Sequence, residues 1–185
     1  MSLGHEDEAQ SMESQRAECD ELAKRIEDAC RTRGLFICSA ESLTGGLLAD
    51  AFVRVPGASD VFLGSAVTYA IAAKAHILGV DSALLEREGA VHPDVAKQMA
   101  VGAVAAYSVP ASRRGCVIGL STTGVAGPGP DGDKPAGLVY VGFALPGPHG
   151  LDAQAEELHL SGTREQVRRG VVLHVLESLA GRLGL

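Results

Sequence analysis

One corner of the chain restricts its fold more than any other feature. Leu35-Phe36-Ile37-Cys38-Ser39 reads as a short buried strand and runs directly into Ala40-Glu41-Ser42-Leu43-Thr44-Gly45-Gly46. An apolar helical stretch then continues until just before Pro56-Gly57. A strand that turns through glycines into a helix belongs to layered α/β architectures, in which helices cover a largely buried sheet.

The remaining periodicities extend that pattern. Before the corner, Cys19, Leu22, Ala23, Ile26, Ala29 and Cys30 recur at helical spacing, with Gly34 as a stop signal. After it, residues 61–69 read as a strand, 70–78 as a helix broken by Gly79, and 83–88 as a short helix before Gly89. Pro93 suits the first turn of a longer helix reaching Tyr107. Residues 116–120 form a further buried strand, residues 124–137 a long Gly/Pro-rich loop, and residues 138–145 the next strand. A turn over 146–150 predicts an antiparallel return strand over 151–160. Thr163-x-x-Gln166 is a capping box opening a last helix, whose buried face is Val167, Val171, Val175 and Leu179. The expected fold is a three-layer α/β/α sandwich around a mixed, mostly parallel sheet. Residues 16–185 form its single domain. Residues 1–15 are expected to be a flexible N-terminal tail, because the polar, acidic first ten residues offer little to pack.

Charge and cysteine usage exclude several classes of function. A net charge of −7 with no Lys/Arg run is the wrong footprint for duplex nucleic acid or an anionic membrane. No run of ~18 apolar residues is present to span a bilayer, and the N-terminus lacks the regions of a signal peptide. The four cysteines, Cys19, Cys30, Cys38 and Cys116, form no C-x-x-C pair and read as reduced thiols, so a cytoplasmic location is expected. The six histidines make no close metal-ligand spacing, and no metal site is expected. The apolar composition would tolerate a self-associating face.

Chemistry concentrates at the corner. Ser42 and Thr44 stand with Gly45 and Gly46 where a strand feeds a helix, the edge at which α/β proteins place ligands. Free backbone N–H groups there can hold an anion or the oxyanion formed when a carbonyl is attacked, with Ser42 as nucleophile. A plain helix cap is the competing reading. Serine needs a base, and Lys74, on the apolar run Ala70-Ile71-Ala72-Ala73-Lys74-Ala75, is the leading candidate if burial keeps it neutral. A snorkelling surface lysine is its alternative. The loop 124–137 offers backbone donors and Lys134, but it is not a Walker A loop: Asp133 stands at the lysine place.

Four separated segments together resemble the CinA C-terminal domain family, known in its stand-alone form as nicotinamide-nucleotide amidohydrolase. Residues 40–46 are similar to A-E-S-C-T-G-G, residues 69–74 to Y-S-N-E-A-K, and residues 123–140 to T-G-I-A-G-P-G followed by K-P-V-G-T-V-Y. Gly89-Ala90-Val91 and the G-x-R of residues 162–164 add to the likeness, which spans roughly residues 20–183 in order. The resemblance implies hydrolysis of the carboxamide of nicotinamide mononucleotide, a small pyridine nucleotide, without metal or organic cofactor. Carried over, Ser42 is the nucleophile, Lys74 the base, and Tyr69 orients or relays between them. The same resemblance assigns Thr44, Gly45, Gly46, Gly124, Gly127, Gly129, Lys134 and Arg164 to substrate binding, with the 44–46 amides stabilising the oxyanion. Full-length members carry a further N-terminal domain for which 185 residues leave no room, so the stand-alone form is the expected counterpart.

The departures fall beside the proposed site. Leu43 replaces the usual cysteine, and Ala70-Ile71-Ala72 replace Ser-Asn-Glu between the tyrosine and the lysine. Loss of those polar groups points to three alternatives: weaker binding of the mononucleotide, a different small amide, or a nucleotide-binding module without turnover.

Overall fold

The computed structural model describes residues 3–185. A five-stranded sheet forms the middle layer, in the order β2-β1-β3-β4-β5. Its strands are β1 (Phe36–Glu41), β2 (Phe62–Val67), β3 (Val117–Gly124), β4 (Leu138–Gly147) and β5 (Gly150–His159). β1 pairs in parallel with β2 and β3, while β3/β4 and β4/β5 are antiparallel. The sheet is therefore mixed and mostly parallel as expected, with β4 alone running against the other four strands.

Alternation along the central strands sends side chains into two cores. Ile37, Ile118, Leu120, Val139, Val141 and Phe143 face α1 (Leu3–Arg33), α2 (Leu47–Val53) and α6 (Arg164–Arg182). Cys38, Ala40, Val117 and Ala144 face the other layer, with α3 (Ile71–Leu78), α4 (Ser82–Glu88) and α5 (Pro93–Tyr107). The long α5 lies unusually close to the sheet. A Cβ on Gly119 would stand 2.2 Å from Ala100 O, and one on Gly142 2.4 Å from Ala96 O, so only glycine admits this approach. Local signals predicted at the helix ends are present: Pro93 opens α5, Gly79 closes α3 in the left-handed region, and Thr163 with Gln166 forms the full capping box of α6.

One expectation is corrected. The first helix does not begin near Cys19; it runs from Leu3, so the tail expected over 1–15 is helical from that residue, and Met1 and Ser2 lie outside the described residues. Among the residues whose burial is described, Cys19, where the apolar period begins, is the first buried one. The earlier turns carry several Glu with Gln and Ala, whose intrinsic helix preference needs no apolar stripe in the sequence. Cys19, Cys30 and Cys38 are buried, and all four thiols are unpaired. Among the described residues, no helix is long and apolar enough to cross a membrane.

Candidate functional site

At the carboxyl edge of β1, β2 and β3 lies a cleft of about 490 Å³ lined by residues from five segments. Ser42 and Leu43 follow β1, Tyr69, Ile71 and Lys74 follow β2, Glu88 ends α4 with residues 89–91 after it, and residues 123–134 supply the far wall, with Arg164 at the start of α6. This is the edge where an α/β sheet exposes strand ends and helix starts.

Ser42 is placed by strand pairing. Its N–H donates to Thr122 O at 3.0 Å, carrying the β1/β3 ladder one residue past the strand, and the chain then turns sharply as the Gly45 N–H donates to Ser42 O at 3.2 Å. The Ser42 hydroxyl accepts from Lys74 Nζ at 3.0 Å. Lys74 is wholly buried, and its Nζ also donates to Thr68 O at 2.6 Å and Tyr69 O at 3.4 Å. No carboxylate is among these partners. Burial therefore pushes the Lys74 ammonium down from 10.5 to about 8, because the charged form loses its water. The snorkelling alternative is excluded: the apolar helical run turns its lysine inward.

Glu41, which the sequence reading passed over, organises the corner. It is wholly buried and accepts from Thr44 Oγ1 (2.8 Å), Gly46 N (2.8 Å), Leu48 N (3.1 Å), Ala49 N (3.0 Å) and Ser65 Oγ (2.8 Å). An internal carboxylate thus fills the start of α2, satisfying the orphan amides that a bound anion would otherwise meet. This corrects the placement of substrate donors at Thr44, Gly45 and Gly46. None of the three lines the cleft; Thr44 bonds Glu41 and Thr122, Gly45 N–H closes the turn, and Gly46 N–H is taken. The signal that could have found Glu41 is its place one residue before Ser42, as the one charged residue of a buried strand.

Tyr69 also differs from its expected role. It lines the cleft but is 64% exposed, and its hydroxyl accepts from Arg164 Nη2 at 3.2 Å, with no hydrogen bond to Ser42 or Lys74. The contribution of this residue to the dyad is its main-chain carbonyl. Arg164 also donates to Gly127 O at 2.6 Å, tying the start of α6 to the loop. Gly124, Gly127, Gly129 and Lys134 all line the cleft, and Lys134 Nζ sits 3.5 Å from Asp133. Of the departures at 70–72, only Ile71 faces the cleft, where it is 52% exposed. Arg168, unremarked in the sequence, donates from Nε to Leu43 O (2.9 Å) and from Nη2 to Thr44 O (2.8 Å), bracing the serine turn from α6.

Fold and site together define a three-layer α/β domain with a buried serine–lysine pair opening on a cleft at the carboxyl edge of its sheet. The profile of the CinA C-terminal domain matches residues 19–183, and the chain belongs to that family. A CinA-like protein of Frankia casuarinae is 44% identical over 145 residues, covering 78% of this chain and 31% of the relative. A relative from Caldanaerobacter subterraneus subsp. tengcongensis is 42% identical over 160 residues, covering 85% of this chain and 36% of its own length. The chain thus spans about a third of the length of such curated relatives. Among solved structures, the competence/damage inducible protein CihA from Agrobacterium tumefaciens superposes with a TM-score of 0.79 at 34% identity, covering 91% of this chain and 96% of that one. The competence damage-inducible protein A from Klebsiella pneumoniae gives 0.80 at 27% identity, covering 90% and 97%.

Proposed function

We propose that this domain is a cytoplasmic amidohydrolase that converts nicotinamide mononucleotide to nicotinic acid mononucleotide and ammonia. The observation that carries the reading is the 3.0 Å contact between a wholly buried Lys74 and Ser42 at the wall of a cleft. A neutral amine has two N–H donors and one lone pair. Thr68 O and Tyr69 O are placed to take the two protons, which leaves the lone pair for the Ser42 O–H. With an ammonium held near 8, a useful share of the enzyme carries that free base at neutral pH.

In this mechanism Ser42 Oγ attacks the carboxamide carbon as its proton passes to Lys74. The tetrahedral intermediate collapses with cleavage of the C–N bond, and Lys74 returns the proton to the departing nitrogen, releasing ammonia. Water then attacks the acyl ester, again losing a proton to Lys74; the C–O bond to Ser42 breaks as Lys74 returns that proton to Ser42 Oγ, and the acid so released loses its own proton to solvent to give the carboxylate. Lys134 and Arg164 are the cleft cations suited to the phosphate, while Gly127 and Gly129, at φ +83 and +80, let the loop backbone turn over the ligand. Four unpaired thiols support a reducing compartment.

The test is ammonia release from the mononucleotide by the purified protein, with Ser42→Ala and Lys74→Ala beside it. Activity absent from both variants supports the dyad; a well-folded but silent wild type removes this substrate. Ile71 favours a second reading, an amide other than the mononucleotide, because it sets an apolar side chain where the resembling family has asparagine. Ile71→Asn separates the two: a gain with the mononucleotide supports a narrowed site of the first kind, and a loss with nicotinamide or its riboside supports the second.

A further inference from the structure

The geometry points to Arg168 as a positioning residue that sets the oxyanion donor through two peptide groups, an inference that rests on Ser42 being the nucleophile. Arg168 Nη2 donates to Thr44 O at 2.8 Å. That carbonyl shares a planar trans peptide with the Gly45 N–H, which therefore points the opposite way. The Gly45 N–H donates to Ser42 O at 3.2 Å, and this second carbonyl shares its peptide with the Leu43 N–H. The Leu43 N–H is the free end of the chain: among the described residues nothing accepts from it, and Leu43 lines the cleft beside Ser42.

A guanidinium at one end of this chain does two things. It orients both peptide planes, and its charge polarises each carbonyl so that the amide across the plane becomes a better donor. The second prong fixes the same segment, since Arg168 Nε donates to Leu43 O at 2.9 Å. Arg168 is itself held, with Nη1 donating to Glu165 Oε2 at 2.8 Å. Of the amides expected to serve the oxyanion, at residues 44–46, those of Gly45 and Gly46 are spent inside the protein and Thr44 does not line the cleft, so the unspent amide on the cleft wall beside Ser42 is the one at the end of this relay. A lysine would supply charge without the rigid fork that spans two carbonyls.

Two reactions of the full chain test this. In amide hydrolysis, Arg168→Lys should lower kcat about 100-fold, as loss of an oxyanion donor does, with KM within about threefold and the pH midpoint unmoved. In the second reaction, an alkyl fluorophosphonate forms a bond from Ser42 Oγ to phosphorus, fluoride leaves and Lys74 takes the serine proton. Its phosphoryl oxygen takes the oxyanion position, so labelling should slow by a similar factor. Should Arg168→Lys fold poorly, Arg168→Ala with added guanidinium ion replaces it, and recovery of labelling is the expected result. A folded Arg168 variant that labels at the wild-type rate, or that changes KM alone, overturns the assignment. A wild type that labels but hydrolyses no amide removes the proposed substrate while the labelling rates still test Arg168. A wild type that does neither overturns both.

Discussion

Lys74 Nζ stands 3.0 Å from Ser42 Oγ although 32 positions separate the two residues, and the amine completes its shell with two main-chain carbonyls rather than a carboxylate. A salt-bridged lysine would hold its proton well above neutrality. This one does not, and its surroundings make the pair's chemistry sensitive to pH in a defined direction.

The first consequence is a rate profile. With Lys74 at about 8, kcat/KM for amide hydrolysis should climb roughly tenfold per pH unit below that value and level above it. Stopped assays of ammonia between pH 5.5 and 9.5 read this, with the pH range here an approximate working window (~4 units) chosen to bracket the midpoint. A profile flat through pH 8 would remove Lys74 as the base.

The second concerns stability. Lys74 has a folded value of about 8 against 10.5 when free. Between the two values the unfolded chain binds more protons, so stability rises with pH there, by up to about 3 kcal/mol for this shift, and the gain is absent below pH 8. Lys74→Met should lack that rise. Urea unfolding of both proteins at pH 7 and pH 10 measures the difference, and equal slopes with pH would contradict it.

Glu41 offers a third. Replacing it with Gln puts an NH₂ against donors at Gly46, Leu48, Ala49, Thr44 or Ser65, whichever way the amide is turned. Leaving buried N–H groups unmet costs about 1–3 kcal/mol each, so Glu41→Gln should destabilise by about 3 kcal/mol and reduce activity by displacing the serine turn. Chemical denaturation with a parallel activity assay checks both, and a variant as stable as wild type would show that the carboxylate is not what holds α2.

A fourth separates two roles for Tyr69. Its hydroxyl meets Arg164 at the cleft mouth rather than the dyad, so Tyr69→Phe should leave kcat within about twofold while KM rises a few fold. A fall in kcat of about 100-fold, as expected for a proton relay, would restore the relay.

Much of the fold was legible from local pattern. The capping box at Thr163, the proline opening α5, the glycine closing α3 and the strand running into the serine turn are all features of consecutive residues, and each sits where its physical chemistry places it. The start of α1 was not, because the tail expectation weighed the absence of an apolar face and overlooked helix propensity, which needs no packing partner.

Within the site, the sequence by itself determined which groups were candidates: Ser42 after a buried strand, Lys74 on an apolar run, and a glycine-rich loop carrying Lys134. Only the tertiary structure decided what those groups do. Whether Lys74 points inward depends on how α3 packs beside the end of β2, and whether the α2 amides face a ligand depends on Glu41 reaching them first. Arg168 meets the serine turn across more than a hundred positions of chain. Such contacts arise from strand register and helix packing, which are non-local, and no periodicity along the chain encodes them.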